Sequence, residues 1–266
     1  MTFMAGNTES GLTQSRRPEL QQSNAILLIT RPAPKAHGFA QRVAGDLPAG
    51  AQTIVSPVLR IVPVDGRVDL NGVSGLVISA SSALPFVPAD AVGRQFSAYC
   101  VGRNTTQTAR DAGLKAQFCG ETAQDLINTI LQDSPGGRLL HLRGTHARGD
   151  IANSLTNGGQ PCGEAIVYDQ IPQELSHVAH QALVGPHPVV VPVFSPRSAA
   201  VLGQQAIDAR APIVLVALSP AVAEAWSGPV PAETLCAARP DAASMQTAVK
   251  RAFIAAERLE GLPGPS

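Results

Sequence analysis

The sequence predicts a parallel α/β protein whose sheet is built twice, and three observations lead there. Short β-branched runs alternate with Ala-rich segments of helical length, the pattern of strands joined by crossover helices. Ten such runs occur in 266 residues, many for one open sheet and comfortable for two sheets of five. The chain also repeats itself at matched spacings.

In chain order the expected strands are "AILLIT" (25–30), "QTIVS" (52–56), "GLVISA" (75–80), "SAYCV" (97–101) and "AQFC" (116–119). They continue with "RLLHL" (138–142), "EAIVY" (164–168), "VVVPVF" (189–194), "IVLVA" (213–217) and "ETLCA" (233–237). Each is a short apolar run, and several are followed by Ser, Thr or Gly, where a turn leads into a helix. The stretch "PVFSPRSAAVLGQ" (192–204) shows the device whole: an apolar run, then a polar turn, then small residues suited to a helix.

The repeat pairs "ISASSALPFV" from Ile78 with "FSPRSAAVLG" from Phe194, "YCVGRNTTQTARDAGL" with "LVALSPAVAEAWSG", and "FCGETAQDLINTIL" with "LCAARPDAASMQTAV". Ser79 to Gly102 is 102 − 79 = 23, and Ser195 to Ser219 is 219 − 195 = 24. Gly102 to Cys119 and Ser219 to Cys236 are both 17. The middle of the chain then adds "LLHLRGTHARGDIANSL" and "EAIVYDQIP", whose counterparts stand at the N-terminus as "ILLITRPAPKAHGFAQRV" and "QTIVSPVLRI". Arg143 to Tyr168 and Arg31 to Ser56 both span 25 residues. A permuted duplication accounts for this: two similar flavodoxin-like parallel-sheet domains joined by a two-stranded hinge. One is discontinuous, 24–57 plus 170–266; the other, 58–169, is inserted in it. Residues 1–23 are polar, lack an apolar core of the secretory type, and are expected to be a disordered extension.

Composition narrows the function. Hydrophobic residues make up 44% and charged residues 15%, ample material for buried cores. Twenty basic and twenty acidic residues cancel, so no global field attracts nucleic acid or an anionic membrane, and an anionic ligand must be held by local groups. Aromatics at 4% are too few for a base-stacking platform. No apolar run is long enough to span a bilayer. Cys100, Cys119, Cys162 and Cys236 are far apart with no CxxC pair, which points to buried or free thiols in a reducing cytoplasm.

Chemistry in such a fold gathers beyond the carboxyl ends of strands, where helix N-termini present unpaired N–H groups. The residues there are Thr30 and Arg31; Ser79, Ala80, Ser81 and Ser82; Gly102, Arg103, Asn104 and Thr105; Arg143 and Gly144; Ser195, Pro196, Arg197 and Ser198; and Ser219. Hydroxyls and small residues let a ligand reach backbone amides, and Arg adds bidentate contacts to carboxylate or phosphate. A serine after a strand also serves as a helix cap, so the set weighs more than any member. "LRGTHARGD" gathers Arg143, His146 and Arg148. His141 falls in a strand pattern and reads as a core or edge histidine. His177 and His180 read as surface residues rather than metal ligands. The chain has no GxGxxG after a strand, no Walker lysine loop, no HExxH and no GxSxG elbow. Tyr168, one of two tyrosines, falls at the expected crossing between domains. A phenol there supplies an apolar wall and a hydroxyl able to give a proton to a leaving group; hinge packing is the other reading.

"LLITRP", "SPVLRI", "GLVISASSAL", "CVGRNTTQTARDAGL", "LRGTHARGDIANSLTNGG" running into "VYDQIP", "VFSPRSAAVL", "VALSPAVAEAW" and "ARPDAASM" occur in an order that resembles the uroporphyrinogen-III synthase family, over nearly all of 25–255. The resemblance implies a bilobal monomer of the cytoplasm that uses no metal or organic cofactor. Its substrate would be hydroxymethylbilane, closed to uroporphyrinogen III with the D ring inverted and water lost through an azafulvene cation and a spirocyclic pyrrolenine. Unaided, the bilane closes to the symmetrical type I isomer, so the task is steering. Carried over by position, Tyr168 is the group assisting departure of the hydroxyl. Ser79, Thr105, Arg143, Ser195 and Ser219 line the cleft with Arg31 at its edge. Two departures stand out. Ser79-Ala80 replaces the family's usual Thr-Ser pair, and Ser219, Pro220, Ala221 and Val222 replace Gly-Pro-Thr-Thr. Arg103 and Arg197 are the residues expected to compensate for the lost threonine hydroxyls. The other functional reading is a catalytically inactive two-lobed module binding a tetrapyrrole or anion.

Overall fold

Residues Ile26–Ile29 are buried along their whole length and form β1, a strand with neighbours on both sides. A strand covered on both faces has no polar side, which is why its sequence is a continuous apolar run. The computed structural model describes residues 23–64, 68–147 and 149–260. Apart from Ser23, the extension expected over 1–23 lies outside these described residues, as does Arg148. After β1 come α1 (Ala33–Val43), β2 (Gln52–Val55), β3 (Leu59–Pro63), β4 (Val73–Ile78), α2 (Ala89–Gly93), β5 (Ser97–Cys100) and α3 (Arg103–Asp111). Next are β6 (Lys115–Phe118), α4 (Ala123–Asp133), β7 (Arg138–Gly144), α5 (Ile151–Asn157) and β8 (Cys162–Pro172). The chain continues with α6 (His177–Val184), β9 (Val189–Val193), α7 (Pro196–Gln205), β10 (Ile213–Ala217), α8 (Pro220–Glu224), β11 (Glu233–Cys236) and α9 (Ala242–Leu259). All ten expected strands are present; β3 is additional.

The chain divides into two compact units. The first runs to Ser56 and resumes at Leu175; the second is Pro57–Glu174. The second change of unit therefore falls beyond Asp169, because β8 runs unbroken through Tyr168 and Asp169 and pairs with β3 as far as Pro172.

In the first unit the strands lie in the order β11-β10-β9-β1-β2, all parallel. Counted along the chain and read from β2, this is second, first, third, fourth, fifth, the flavodoxin order. Leu27, Ile29, Val190, Val214 and Val216 pack on one face against Phe39 and Val43 of α1 and Val249 and Phe253 of α9. Fully burying a side chain such as Phe253 contributes about 1.5–3 kcal/mol. α7 and α8 pack against β9 and β10.

In the second unit the order is β3-β8-β7-β4-β5-β6, parallel except for β3, which runs antiparallel to β8. Here β4, β5, β6, β7 and β8 occupy the places that β9, β10, β11, β1 and β2 hold in the first sheet. The two sheets are thus the same arrangement entered at different strands, as the spacings of the repeat require. Leu76, Ile78, Leu140 and Leu142 build one core layer with Ala109 of α3; Val77, Tyr99 and Leu139 build the other with Leu126 and Ile130 of α4 and Leu155 of α5. The start of α4 is fixed by a capping box: Thr122 Oγ1 accepts from Asp125 N at 3.1 Å, and Asp125 Oδ2 accepts from Thr122 N at 3.0 Å.

Candidate functional site

Each unit gathers its candidate residues at the carboxyl ends of three adjacent strands, around the point where strand order reverses. That is the position where open α/β sheets bind ligands. In the first unit the strands are β1, β9 and β10, followed by Arg31, by Ser195 and Arg197, and by Ser219. In the second they are β7, β4 and β5, which supply Arg143, Ser79, and Arg103 with Thr105. Tyr168 stands on β8, next to β7.

In the first unit, the Arg31 guanidinium lies 3.8 Å from the centre of the Phe194 ring. Burial, and then the charge of Arg42, lower its pKa to about 10. Lys35, one turn along α1, is lowered to about 8 by burial first and by Arg31 second. Like cations held this way gain from any anion that joins them, so this corner favours a carboxylate or phosphate. Ser195 caps α7: its Oγ accepts from Ser198 N at 3.2 Å and pairs with Ser198 Oγ at 2.8 Å. Pro196 at the first helical position lacks an N–H where none is needed. Ser219 begins α8 without bonding its helix's backbone through its side chain. Of the two positions lacking threonines, Val222 is buried at 3% exposure and Ala221 is exposed.

In the second unit, Arg103 is an exposed side chain, 4.6 Å from the Phe118 ring centre and 3.9 Å from Glu121. Thr105, two residues along α3, is buried. Arg143 spends donors inside the protein: Nε and Nη2 each reach Glu164 Oε2 at 2.9 Å, and Nη1 donates to Gly144 O at 3.1 Å. Two N–H groups are thus hydrogen-bonded, and Nη2 is in ion-pair contact with the same carboxylate. Ser79 Oγ lies 2.9 Å from His141 Nε2. His141 is 1% exposed, and burial outweighs the neighbouring Glu164 to lower its pKa to about 4.

Tyr168 owes its direction to an irregularity in the sheet. Arg143 pairs with Ile166 and Gly144 with Tyr168, so Val167 is an extra residue on β8. Such a bulge turns the following side chain to the other face. Tyr168 therefore joins Val167 in the layer of Leu140 and Leu142 instead of sharing the face of Glu164. Its ring stacks on Phe86, centres 6.1 Å apart at 16°, and covers Gly144, where a Cβ would lie 2.5 Å from the ring. Burial raises the phenol pKa, and a hydrogen bond with Ser82 lowers it in part. Tyr168, expected next to a crossing between domains, lies within the second unit, ahead of the change of unit after Glu174, and is buried in that unit's core.

His141, Glu164, Lys35 and Phe86 are the contributors that sequence reasoning left out. His141 was visible as a histidine in an apolar strand, but its partners come from two neighbouring strands. His146 Nε2 is 3.2 Å from Asp169 Oδ1, and His177 and His180 are exposed. Among the described residues no group of His, Cys, Asp and Glu is placed to hold a metal, and no helix is long and apolar enough to cross a membrane. The four cysteines are free thiols. A cavity of about 510 Å³ opens at the amino ends of β7 and β8, by Arg138 and Gln160, away from the residues above.

Comparison with known proteins agrees with the arrangement. The family model described as Uroporphyrinogen-III synthase HemD matches residues 47–246. A curated uroporphyrinogen-III synthase from Chlorobaculum parvum is 26% identical over 164 residues, which span 56% of this chain and 65% of that protein. The match thus covers less than two thirds of the relative's length. The crystal structure of uroporphyrinogen-III synthetase from Helicobacter pylori superposes with a TM-score of 0.58 at 14% identity, over 85% of this chain and 97% of the other, and shows the same fold. With three quarters of its length matched by the family model, the chain belongs to the uroporphyrinogen-III synthase family.

Proposed function

We propose that this chain cyclises hydroxymethylbilane to uroporphyrinogen III, with inversion of ring D and loss of water, as a cytoplasmic monomer that needs no cofactor. The observation that carries the reading is the doubled array: in a chain of this family, both sheets present arginines and hydroxyls at their switch points. Such donors suit a substrate rich in carboxylates. Arg31, Ser195, Arg197 and Ser219 in the first unit, and Arg103, Thr105 and Arg143 in the second, are the groups proposed to hold them. Ser79 contacts the same substrate. Binding energy collected at the side chains orders the flexible bilane, so that the substituted carbon of ring D attacks in place of the free one.

Tyr168 is proposed to give its proton to the departing hydroxyl. A phenol is protonated at neutral pH and so carries the proton to donate; burial raises its pKa, which weakens it as an acid, and the hydrogen bond with Ser82 offsets part of that. Dipoles around the site then meet the cation that forms.

The test is an isomer assay. Hydroxymethylbilane generated in place is incubated with the purified protein, oxidised, and resolved into type I and type III uroporphyrin. Type III should predominate without added cofactor, and Tyr168→Phe should cut turnover at least about tenfold, the low side of general acid contributions. Type I alone, with bilane persisting, leaves the inactive two-lobed binding module as the better reading. A normal rate for the phenylalanine variant reduces Tyr168 to packing.

A further inference from the structure

Ser79 was assigned above by its place after a strand, and what it can recognise depends on His141. The His141 ring sits on β7 between Val77 of β4 and Glu164 of β8. One nitrogen, Nε2, is 2.9 Å from Ser79 Oγ. The other, Nδ1, is buried without a hydrogen-bond partner and stands 3.8 Å from Glu164 Oε1, beyond bonding distance. Glu164 is anchored in that position, because Arg143 Nε donates to its other oxygen and Nη2 forms an ion pair with it.

A neutral imidazole carries one proton, on either nitrogen. With the proton on Nε2, the Nδ1 lone pair would point toward the carboxylate. With the proton on Nδ1, an N–H faces that charge. Coulomb energy in a buried setting favours the second arrangement. Arg143 opposes this, but Glu164 is the larger of the two charge effects on the ring. The Cys162 thiol, at the His141 backbone, is pushed by burial to about 11 and stays uncharged.

We infer that His141 is a positioning residue for Ser79: as the Nδ1–H tautomer it accepts the serine proton at Nε2 and leaves Ser79 Oγ an acceptor only. Ser79 then recognises an N–H donor on its ligand, and cannot donate to a carboxylate. In the bilane the N–H groups belong to the pyrrole rings, so this contact orients a ring, not a side chain. The ligand identity rests on the proposed synthase function; the tautomer does not.

Two measurements on the full chain test it. With ring-¹⁵N histidine, long-range ¹H–¹⁵N spectra near neutral pH distinguish the two tautomers and the charged ring. The chain has six histidines, and the His141 signals are those lost in His141→Phe or, if that variant does not fold, those shifted in Ser79→Ala. A protonated Nδ1 with a hydrogen-bonded, unprotonated Nε2 is expected; the Nε2–H form or an imidazolium overturns the inference. In the isomer assay Ser79→Ala and His141→Phe should each lower kcat/KM about threefold to tenfold, the range for one neutral hydrogen bond. The double variant should be no worse than the poorer single one, and losses that multiply overturn the coupling. A protein that makes no type III isomer sinks the synthase reading and leaves the tautomer result to decide this one.

Discussion

Protonating His141 in the folded chain would place a charge inside a dry layer, a cost that the neighbouring Glu164 does not offset, whereas the unfolded chain binds that proton freely. The folded pKa of about 4 lies below the ordinary 6.5, so between those values the unfolded state holds more protons. Stability therefore rises with pH across that window and is lost as pH falls through it. Lowering the pH from about 7 to about 5 should cost about 2 kcal/mol through this residue. Urea unfolding at both pH values checks it: His141→Phe should lose less stability than the parent over the same step, and equal losses would refute it. At this scale the sequence revealed Arg31, Ser79, Ser195 and Ser219, since each follows an apolar run directly. It did not reveal that His141 meets Ser79 and Glu164. Alternation assigns a residue to a face, but the register between strands decides which side chains meet on it.

The bulge in β8 is the element that matters most to the proposed chemistry. Gly144 lies opposite Tyr168, and the ring occupies the space a Cβ would need, 2.5 Å away. Gly144→Ala should force the ring to move and destabilise the fold by about 1–3 kcal/mol, as overpacking does. Thermal unfolding gives the cost, and near-ultraviolet dichroism, with only Tyr99 and Tyr168 as tyrosines, reports the displacement. An unchanged melting temperature and spectrum would mean that the ring is not fixed there. The ten short apolar runs were legible as strands, while β3 and the end of β8 were not. β3 lies between Pro57 and Pro63, and β8 ends in Asp169, Gln170, Ile171 and Pro172, so turn residues masked an edge ribbon.

At the scale of the whole molecule, the chain begins one sheet, completes another, and returns to finish the first. Residues 57–174 are contiguous and carry buried layers on both faces of their own sheet. Expressed alone, that segment should fold, with a cooperative urea transition and α/β circular dichroism. A non-cooperative melt would show that it needs the remainder of the chain. Residues 23–56 alone should stay unfolded, because β1 takes one neighbour, β9, from beyond Leu175.

The sequence by itself determined the strands, the doubled architecture and the polar strand ends, because these depend on residue type, periodicity and spacing along the chain. Tertiary structure alone decided that Arg143 is tied to Glu164, that Ser79 meets His141, and that Tyr168 turns onto Gly144 and Phe86. Those contacts join residues of different elements. They depend on strand order, register and one inserted residue, which no local pattern encodes.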